Sequence, residues 1–306
     1  YQGENNCGTL HGNSGTHTGY GCLMPGLIAL WRSAWSAVPG TTDPVAPFGI
    51  VSLSTGDSEG SPDIASFRWS QSGNYGVVPN PIMPNTFLAH AYDLQDVWGG
   101  PTGAGVKCNA TTANPLYPCD TPWFMGPGIH PRLKKAVGQR LALGALGIGY
   151  SMDGPVTGPT ISGCTLTDST LVVTFNETLL AGGKLEVQSY DTSEPDRSAL
   201  SLYVEKANVW VSANIALIGP NTVSVNVSGL VDVAAIRYAW GDPQSPIGDD
   251  VTCCRGLGNF CPIARCPIVA AVKSPLAPAG VLPANPFLAE IKGGKCVCPP
   301  PQVCDA

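Results

Sequence analysis

The apolar residues of this 306-residue chain change their spacing once, near Gly154. Before that point, residues with helical spacing alternate with short apolar runs, an order typical of an α/β layer. After it, as far as Trp240, short β-branched segments alternate apolar with polar residues, which predicts antiparallel strands. The sequence therefore predicts an α/β portion followed by a small antiparallel β-sandwich.

Two helices and two strands are predicted in the α/β portion. The first helix covers residues 23–36, and one of its faces carries Met24, Leu27, Ile28, Trp31 and Trp35. The apolar runs at 48–53 and 86–92 predict buried strands. The second helix is predicted to open at His130, with Pro131 in its first turn, where the missing proline amide is tolerated. Strands of the β portion are predicted at 170–175, 200–211, 222–227 and 231–238.

Twelve cysteines indicate a disulfide-bonded protein of an oxidising compartment. Cys164 stands apart from the local groups of the others, so at least one bridge must join distant parts of the chain if all cysteines pair. Zinc binding is the alternative, but Cys296-Val297-Cys298 lacks the usual ligand spacing and no histidine lies near it. The glycine- and proline-rich residues 97–129 are predicted to form a surface insertion closed by a Cys108–Cys119 bridge.

Three sequons for N-glycosylation agree with the cysteines. They begin at Asn109, Asn176 and Asn226. Each tripeptide arises often by chance, but together with the cysteines they predict a protein of the secretory pathway, either secreted or lysosomal.

Charge and hydropathy exclude several classes of partner. The formal charge of −6, with only 12% charged residues, offers nothing to neutralise a run of phosphates, so no nucleic-acid partner is expected. No apolar run is long enough for a membrane span. The sequence also gives no reason to expect a metal or another cofactor.

Five stretches, taken in order, resemble blocks of the sialate O-acetylesterases. The first is the YQGENN block at residues 1–6 with the PGLI and WR of the helix that follows it. The others are VPNPIMPNTF at 78–87, IHPRLK at 129–134 with QRL at 139–141, IRYAW at 236–240, and LPANPF at 282–287. The resemblance covers nearly the whole chain.

This resemblance implies a fold and three domains. The fold class is α/β, with part of an SGNH-hydrolase-like three-layer α/β/α domain, then a small antiparallel β-sandwich and a disulfide-rich tail. The corresponding ranges are 1–153 for the C-terminal part of the esterase domain, 154–245 for the β-sandwich, and 246–306 for a cysteine- and proline-rich tail packing on both.

The resemblance also implies catalytic roles. His130 corresponds to the general base of a serine esterase, which takes the nucleophile's proton and later gives it to the leaving sugar hydroxyl. The block that lines the oxyanion side of the site corresponds to Gln2, Gly3, Glu4 and Asn6. Either Gln2 or Asn6 could be the side-chain donor to the oxyanion. His11, His17 and His90 have no comparable context and are assigned no role.

The acid that orients the histidine is less well marked. Many SGNH enzymes carry an aspartate two or three residues before the histidine, but Gly128 and Pro127 occupy those positions here. We rank Asp120 first, with Asp93 and Asp96 as alternatives. A backbone carbonyl could also orient the imidazole and leave a serine–histidine dyad.

The nucleophile block of the family, G-Q-S-N, precedes Y-Q-G-E and does not occur in these residues. The Gly56-Asp57-Ser58 sequence comes after the oxyanion block and consists of residue types that favour turns. Ser58 is therefore interpreted as a turn residue. We therefore expect this chain alone to be inactive, and its partner to be an N-terminal fragment of the same precursor.

The function predicted from the resemblance is hydrolysis of O-acetyl esters of sialic acids, and the substrate is an O-acetylated sialic acid or another acetylated glycan. Related esterases act on plant-type polysaccharides, and no residue pattern in this sequence indicates which sugar is recognised. The alternative is a non-catalytic extracellular protein that reuses the esterase fold for glycan binding or for a structural role in a matrix.

Overall fold

A computed structural model describes residues 3, 6, 19–54, 64–94, 130–131, 134–180, 182–188, 200–240, 266–277 and 280–297. These residues form a mixed α/β structure with its helices first and most of its strands later, as the sequence predicts. None of the helices in these ranges is both long and apolar enough to cross a membrane.

The α/β portion contains three helices and a two-stranded parallel sheet. Its elements are α1 (Tyr20–Ser36), β1 (Phe48–Val51), α2 (Ile64–Ser70), β2 (Thr86–Ala89) and α3 (Lys135–Gly144), which continues into a π-helical turn (Ala145–Gly149). β1 and β2 pair in parallel, with Phe48 opposite Thr86 and Val51 opposite Ala89. Both predicted strands are confirmed.

The parallel pair lies between α1 and α3. On one face, Ile50 and Leu88 share a buried cluster with Met24 and Ile28 of α1. On the other face, a Cβ on Gly49 would lie 2.5 Å from the Phe87 ring and 3.3 Å from Leu141 of α3. This close approach needs glycine at position 49 because any side chain would displace the phenylalanine.

The first predicted helix is confirmed, but it buries only part of its apolar face. Met24, Ile28 and Arg32 are buried, whereas Leu27, Trp31 and Trp35 are 39%, 40% and 51% exposed. The described sheet has only two strands, so it covers a single stripe of α1. Arg32 is accommodated because its Nε and Nη2 donate to the Ala46 carbonyl at 2.9 and 2.7 Å.

The second predicted helix starts later than expected. α3 begins at Lys135, and a backbone bond of its first turn runs from Gly138 N–H to the Lys134 carbonyl at 2.9 Å. His130 and Pro131 therefore lie in the segment before the helix, and the prediction of proline in the first turn was wrong. Lys134 Nζ donates to the Pro131 carbonyl, which ties this segment to the start of the helix.

The β portion is dominated by one continuous antiparallel sheet of nine strands. Its members are β3 (Ile161–Thr167), β4 (Thr170–Phe175), β6 (Leu200–Val204), β7 (Val209–Ser212), β8 (Ile215–Leu217), β9 (Thr222–Asn226), β10 (Val233–Tyr238), β13 (Phe287–Lys292) and β14 (Lys295–Val297). Their order is β7-β6-β10-β13-β14-β3-β4-β9-β8. A short helix, α4 (Glu177–Leu180), follows β4.

A second, three-stranded antiparallel sheet lies beside it, in the order β12-β11-β5. It consists of β5 (Lys184–Val187), β11 (Ile268–Ala271) and β12 (Val281–Pro283). The sequence predicted a small sandwich, but nine of the strands join into a single sheet, because β13 and β14 from the cysteine- and proline-rich tail pair between β10 and β3. Inward residues from both halves of the sheet, including Val173 and Ile236, share one core.

A long-range disulfide fastens this sheet at its weakest junction. β14 and β3 have one register pair, Lys295 opposite Thr165, and Cys164–Cys296 bridges the same two strands across 132 residues of sequence. This confirms the expectation of a distant partner for Cys164. Cys22 and Cys266 are also disulfide-bonded, whereas the predicted Cys108–Cys119 bridge and the 97–129 insertion lie outside the described residues.

Candidate functional site

The course of α3 relative to β2 indicates which end of the parallel strands the predicted base lies nearest. α3 runs antiparallel to β2: Gly144 packs on Phe87, and Arg140, one turn earlier, donates to the carbonyl of His90 at 2.5 Å. The amino end of α3 therefore extends past the carboxyl end of β2. In open α/β sheets, ligands bind at this end of the strands.

His130 lies ahead of that amino end. It is half-buried, directly before the buried Pro131 and five residues before the first residue of α3. The direction of the helix therefore points its amino end, which His130 precedes in the sequence, towards the carboxyl end of β2.

The predicted oxyanion block reaches the same end of the sheet through α2. Gly3 is buried with φ +130°, and a Cβ there would lie 2.7 Å from the Phe67 ring. Phe67 shares a buried cluster with Leu53, which follows β1. Asn6 N–H donates to the Gly3 carbonyl at 2.9 Å and closes a turn. Glycine is needed at position 3 because both the backbone conformation and the close aromatic ring exclude a side chain.

Two buried side chains of the α2 region hold the chain that leaves β1. Gln71 accepts from Leu53 N–H at 3.0 Å and donates to the Val51 carbonyl at 3.1 Å. Arg68 donates to the Ser54 carbonyl at 3.3 Å. These bonds supply backbone partners where the strand ladder has ended.

A buried ion pair fastens α3 to the loop after β2. Arg140 Nη1 and Nη2 contact the two carboxylate oxygens of Asp93 at 2.6 and 2.7 Å, and both side chains are nearly inaccessible to solvent. Such bidentate pairing fixes geometry as well as charge. Asp93 thus anchors α3 through this pair, whereas the first-ranked candidate for orienting His130, Asp120, lies outside the described residues.

His90, which the sequence left without a role, is buried beside this pair. Its Nδ1 hydrogen-bonds with Ser52 Oγ at 2.8 Å. Burial, reinforced by the positive charges of Arg140 and Arg68, lowers the pKa of His90 to about 3. The two side chains are enclosed, and the cavity that His90 lines is only about 20 Å³, room for roughly one water and not for a sugar. This serine–histidine contact is therefore structural.

A larger groove, about 410 Å³, lies beside α1. Its lining includes Pro44 and Val45, which precede β1, and Pro84, which precedes β2. It is thus at the amino end of the strands, opposite the end where α/β folds bind ligands. Within the described ranges, no group of three acidic, histidine or cysteine residues could hold a metal ion.

Several predicted site residues lie outside the described residues: Gln2, Glu4, Asp120, the alternative Asp96 and the sequon at Asn109; so does Ser58, which is interpreted as a turn residue. The other two sequons differ in setting. Asn176 is half-buried and its Oδ1 accepts from Leu179 N–H at 3.2 Å at the start of α4, whereas Asn226 is exposed at the end of β9.

Sequence reasoning did not predict the anchoring residues Arg140 and Gln71. Arg140 and Gln71 act through backbone and ion-pair contacts that no local spacing reveals. The only available signal was a pair of polar residues at helical positions facing a strand, and many surface residues share that pattern.

Comparison with known proteins supports the resemblance over most of the chain. No protein-family model matches it. It is 32% identical to the sialate O-acetylesterase of Rattus norvegicus over 252 residues, which are 78% of this chain and 38% of that protein. It is 29% identical to the sialate O-acetylesterase of Homo sapiens over 300 residues, 95% of this chain and 45% of that protein. The chain thus spans less than half the length of these curated relatives.

A solved structure supports the fold. A carbohydrate acetylesterase from Xanthomonas citri superposes with a TM-score of 0.55 at 20% identity, over 92% of this chain and 48% of that one. The α/β layer and the β portion therefore recur together in a longer protein.

Proposed function

We propose that this chain is the C-terminal portion of a sialate O-acetylesterase, which hydrolyses O-acetyl esters of sialic acids with a serine supplied by an upstream segment. The homology to sialate O-acetylesterases covers most of the chain, and their names give the substrate class. The proposal includes an SGNH-type α/β/α layer, and the packing of α1 and α3 on opposite faces of β1 and β2 supports it.

One observation supports the catalytic part of the proposal: α3 runs antiparallel to β2, so its amino end, which the His130 segment precedes, points past the carboxyl end of that strand. The Gly3 turn packs on Phe67 of α2, which clusters with Leu53 after the carboxyl end of β1. Ester hydrolysis needs a base and an oxyanion site on either side of one carbonyl carbon. Two segments from distant parts of the chain supply these groups in this proposal.

The reaction would proceed by acyl transfer. The serine Oγ attacks the acetyl carbonyl carbon while His130 accepts its proton, and the negative charge on the carbonyl oxygen is stabilised by the Gly3 amide and by Asn6 or Gln2. His130 then gives the proton to the departing sugar oxygen. Water, deprotonated by the same imidazole, attacks the acetyl-enzyme and releases acetate. Asp120 would orient the imidazole.

The exposed face of α1 supports an upstream segment. Leu23, Leu27, Leu30, Trp31 and Trp35 are all at least 39% exposed, and the parallel sheet that α1 flanks has two strands within the described residues. Parallel sheets of α/β proteins are normally larger and covered on both faces. The homologues are more than twice as long as the matched region, which leaves ample chain to complete this layer.

Secretion, or delivery to lysosomes, and glycosylation at Asn109, Asn176 and Asn226 belong to the same proposal. The Cys164–Cys296 bridge supports an oxidising compartment, and the exposure of Asn226 makes that sequon the most accessible of the described ones. The ranges 1–153, 154–245 and 246–306 remain our proposal for the domains, with the last contributing β11 to β14 to the two sheets.

The test is acetate release from O-acetylated sialic acid by the full-length precursor, compared with its His130→Ala variant. Loss of the general base should reduce kcat by roughly 100- to 10,000-fold. Lys135→Ala is the matched control, because Lys135 is an exposed residue of α3 close in sequence to His130. This control should keep wild-type activity.

An unchanged rate in the His130→Ala variant would refute the assigned base. A precursor that binds acetylated glycans without releasing acetate would favour the non-catalytic alternative. If the precursor is active on acetylated plant-type polysaccharides but not on sialic acid esters, the proposed ester hydrolysis stands and the proposed substrate is wrong.

A further inference from the structure

The outward face of strands β7, β6, β10 and β13 carries two neighbouring rows of side chains. One row contains Ser212, Ser201, Arg237 and Leu288, which lie directly opposite one another across the four strands. The next row contains Trp210, Tyr203, Ala235 and Glu290. Positions two apart along a strand point to the same face, and the residues between them, Leu202 and Ile236, are buried in the core. Both rows therefore lie on the face opposite the core, where Ser201 and Ala235 are themselves buried and Arg237, Trp210, Tyr203 and Ser212 are partly exposed.

Arg237 crosses this face to the aromatic row. Its guanidinium carbon lies 4.0 Å from the centre of the Trp210 ring. The Tyr203 ring is 5.3 Å from the same indole, with its hydroxyl donating to Asn208 Oδ1 at 2.7 Å. The stack holds the guanidinium in one orientation, because a planar cation is attracted to the face of an indole ring.

The cation of Arg237 has no acidic partner in the described part of the chain. The carboxylate in the neighbouring row, that of Glu290, forms an ion pair with Lys292 Nζ at 2.5 Å. The Nε of Arg237 is buried and finds no hydrogen-bond acceptor among the described residues. Burial also lowers the pKa of this guanidinium to about 10, which still leaves it charged at neutral pH. Buried cations are normally paired, so this arrangement favours binding an external anion.

We propose that this face, defined by Arg237, Trp210, Tyr203 and Ser212, is a second binding site for a carboxylated saccharide. A fixed guanidinium fork matches a carboxylate bidentately. The aromatic rings offer apolar surface to the C–H face of a sugar ring, and the serine hydroxyl in the same row can bond to its hydroxyls. Sialic acids and uronic acids share this chemistry.

The site stands apart from the catalytic proposal. Arg237 lies in the nine-stranded sheet, to which none of the described catalytic candidates, Gly3, Asn6 and His130, belongs. Its ligand class follows from the four side chains alone. The choice of a sialylated probe rests on the proposed function, whereas the uronic acid probe does not. Binding is measured without ester hydrolysis, so failure of either proposal leaves the other open to its own test.

The experiment is calorimetric titration of the intact chain with sialyllactose, a trigalacturonate and neutral lactose. We expect at least one of the carboxylated saccharides to bind at least about tenfold more tightly than lactose. Arg237→Met keeps an apolar stem against Trp210 but removes the fork, and should weaken that binding by at least about tenfold. Lys206→Met removes one positive charge from an exposed side chain of the same sheet portion and should leave affinity within about twofold.

Each outcome decides the proposal. Preference for sialyllactose or for trigalacturonate supports a carboxylate site and identifies the saccharide class, whereas equal binding of both supports a site that recognises the carboxylate alone. Equal affinity for lactose, no binding of either acid, or equal losses in the Arg237→Met and Lys206→Met variants would overturn it. Should Arg237→Met fail a thermal-unfolding check, Arg237→Lys retains the charge and loses the fork. In that variant, unchanged affinity also contradicts a bidentate site.

Discussion

The burial of His90 at the carboxyl end of the parallel strands can be tested through the pH dependence of the free energy of unfolding. Its imidazole is enclosed between β1, β2 and the buried arginines, so the folded protein holds it neutral. In the unfolded chain the same imidazole takes up a proton below its ordinary pKa of 6.5. Between that value and the folded pKa of about 3, the unfolded state binds one proton more than the folded state.

The sign and size of the effect follow from this difference. Because the folded pKa is depressed, the contribution is fully present above pH 6.5 and is lost as pH falls towards 3. Each pH unit below 6.5 costs about 1.4 kcal/mol of unfolding free energy. At about pH 5, the loss from His90 alone is about 2 kcal/mol relative to neutral pH.

The perturbation is His90→Asn, whose side-chain amide can replace the Nδ1 hydrogen bond to Ser52 without titrating. Urea unfolding of both proteins at about pH 7 and about pH 5 gives four free energies. Carboxylates contribute to the pH dependence of both proteins and cancel in the comparison. We expect the wild-type protein to lose about 2 kcal/mol more than the variant over this interval.

Ser52→Ala serves as the control. The lowered pKa of His90 comes from burial and then from Arg140 and Arg68, so removing the hydroxyl should cost about 1 kcal/mol at both pH values without changing their difference. If wild-type and His90→Asn proteins lose the same free energy between the two pH values, His90 is hydrated in solution and the packing at this end of the sheet differs from that described.

Two further predictions concern the buried ion pair and the long-range disulfide that stabilise the fold. Replacing either partner of the Asp93–Arg140 pair, by Asp93→Asn or Arg140→Met, should cost about 3–5 kcal/mol, since each change leaves a buried polar group without its partner. The double variant should cost clearly less than the sum, and additive losses in denaturant unfolding would contradict direct pairing. Removing the Cys164–Cys296 bridge by two serine substitutions should destabilise the protein by up to about 5 kcal/mol, because it closes a loop of 132 residues. An unchanged thermal midpoint would show that β14 stays on β3 without it.

Local pattern predicted those parts of the fold whose residues follow one period. The run at 48–53 and the run at 86–92 became a parallel pair, and the alternating residues of 170–175 became β4 with its apolar side inward. The start of α3 was misplaced because Pro131 is compatible with both a first turn and an extended approach, and only the backbone bonding of Lys134 distinguishes them.

Long-range pairing could not be predicted in the same way. Residues 287–292 lie in a tail rich in proline and cysteine, and nothing in their spacing indicates that they pair with β10. The odd position of Cys164 did predict a distant bridge, but not that Cys296 would supply it. The same limit applies to the candidate site: motif resemblance gives His130 and Gly3 as predictions, whereas the ion pair that anchors α3 joins two residues 47 positions apart, which no local pattern indicates.

The anchors explain how a site built from distant segments can hold its geometry. Gln71, Arg68 and Arg140 each donate to a backbone carbonyl just after or at the end of a parallel strand, where the ladder no longer supplies partners. Their side chains thereby fix α2 and α3 to those loops, and the Gly3 turn packs on α2 while the His130 segment leads into α3. A change at an anchor therefore moves a proposed catalytic group without touching it. Loss of rate with an unchanged KM in an anchor variant would reflect a misplaced base or oxyanion donor and not a lost contact to the substrate.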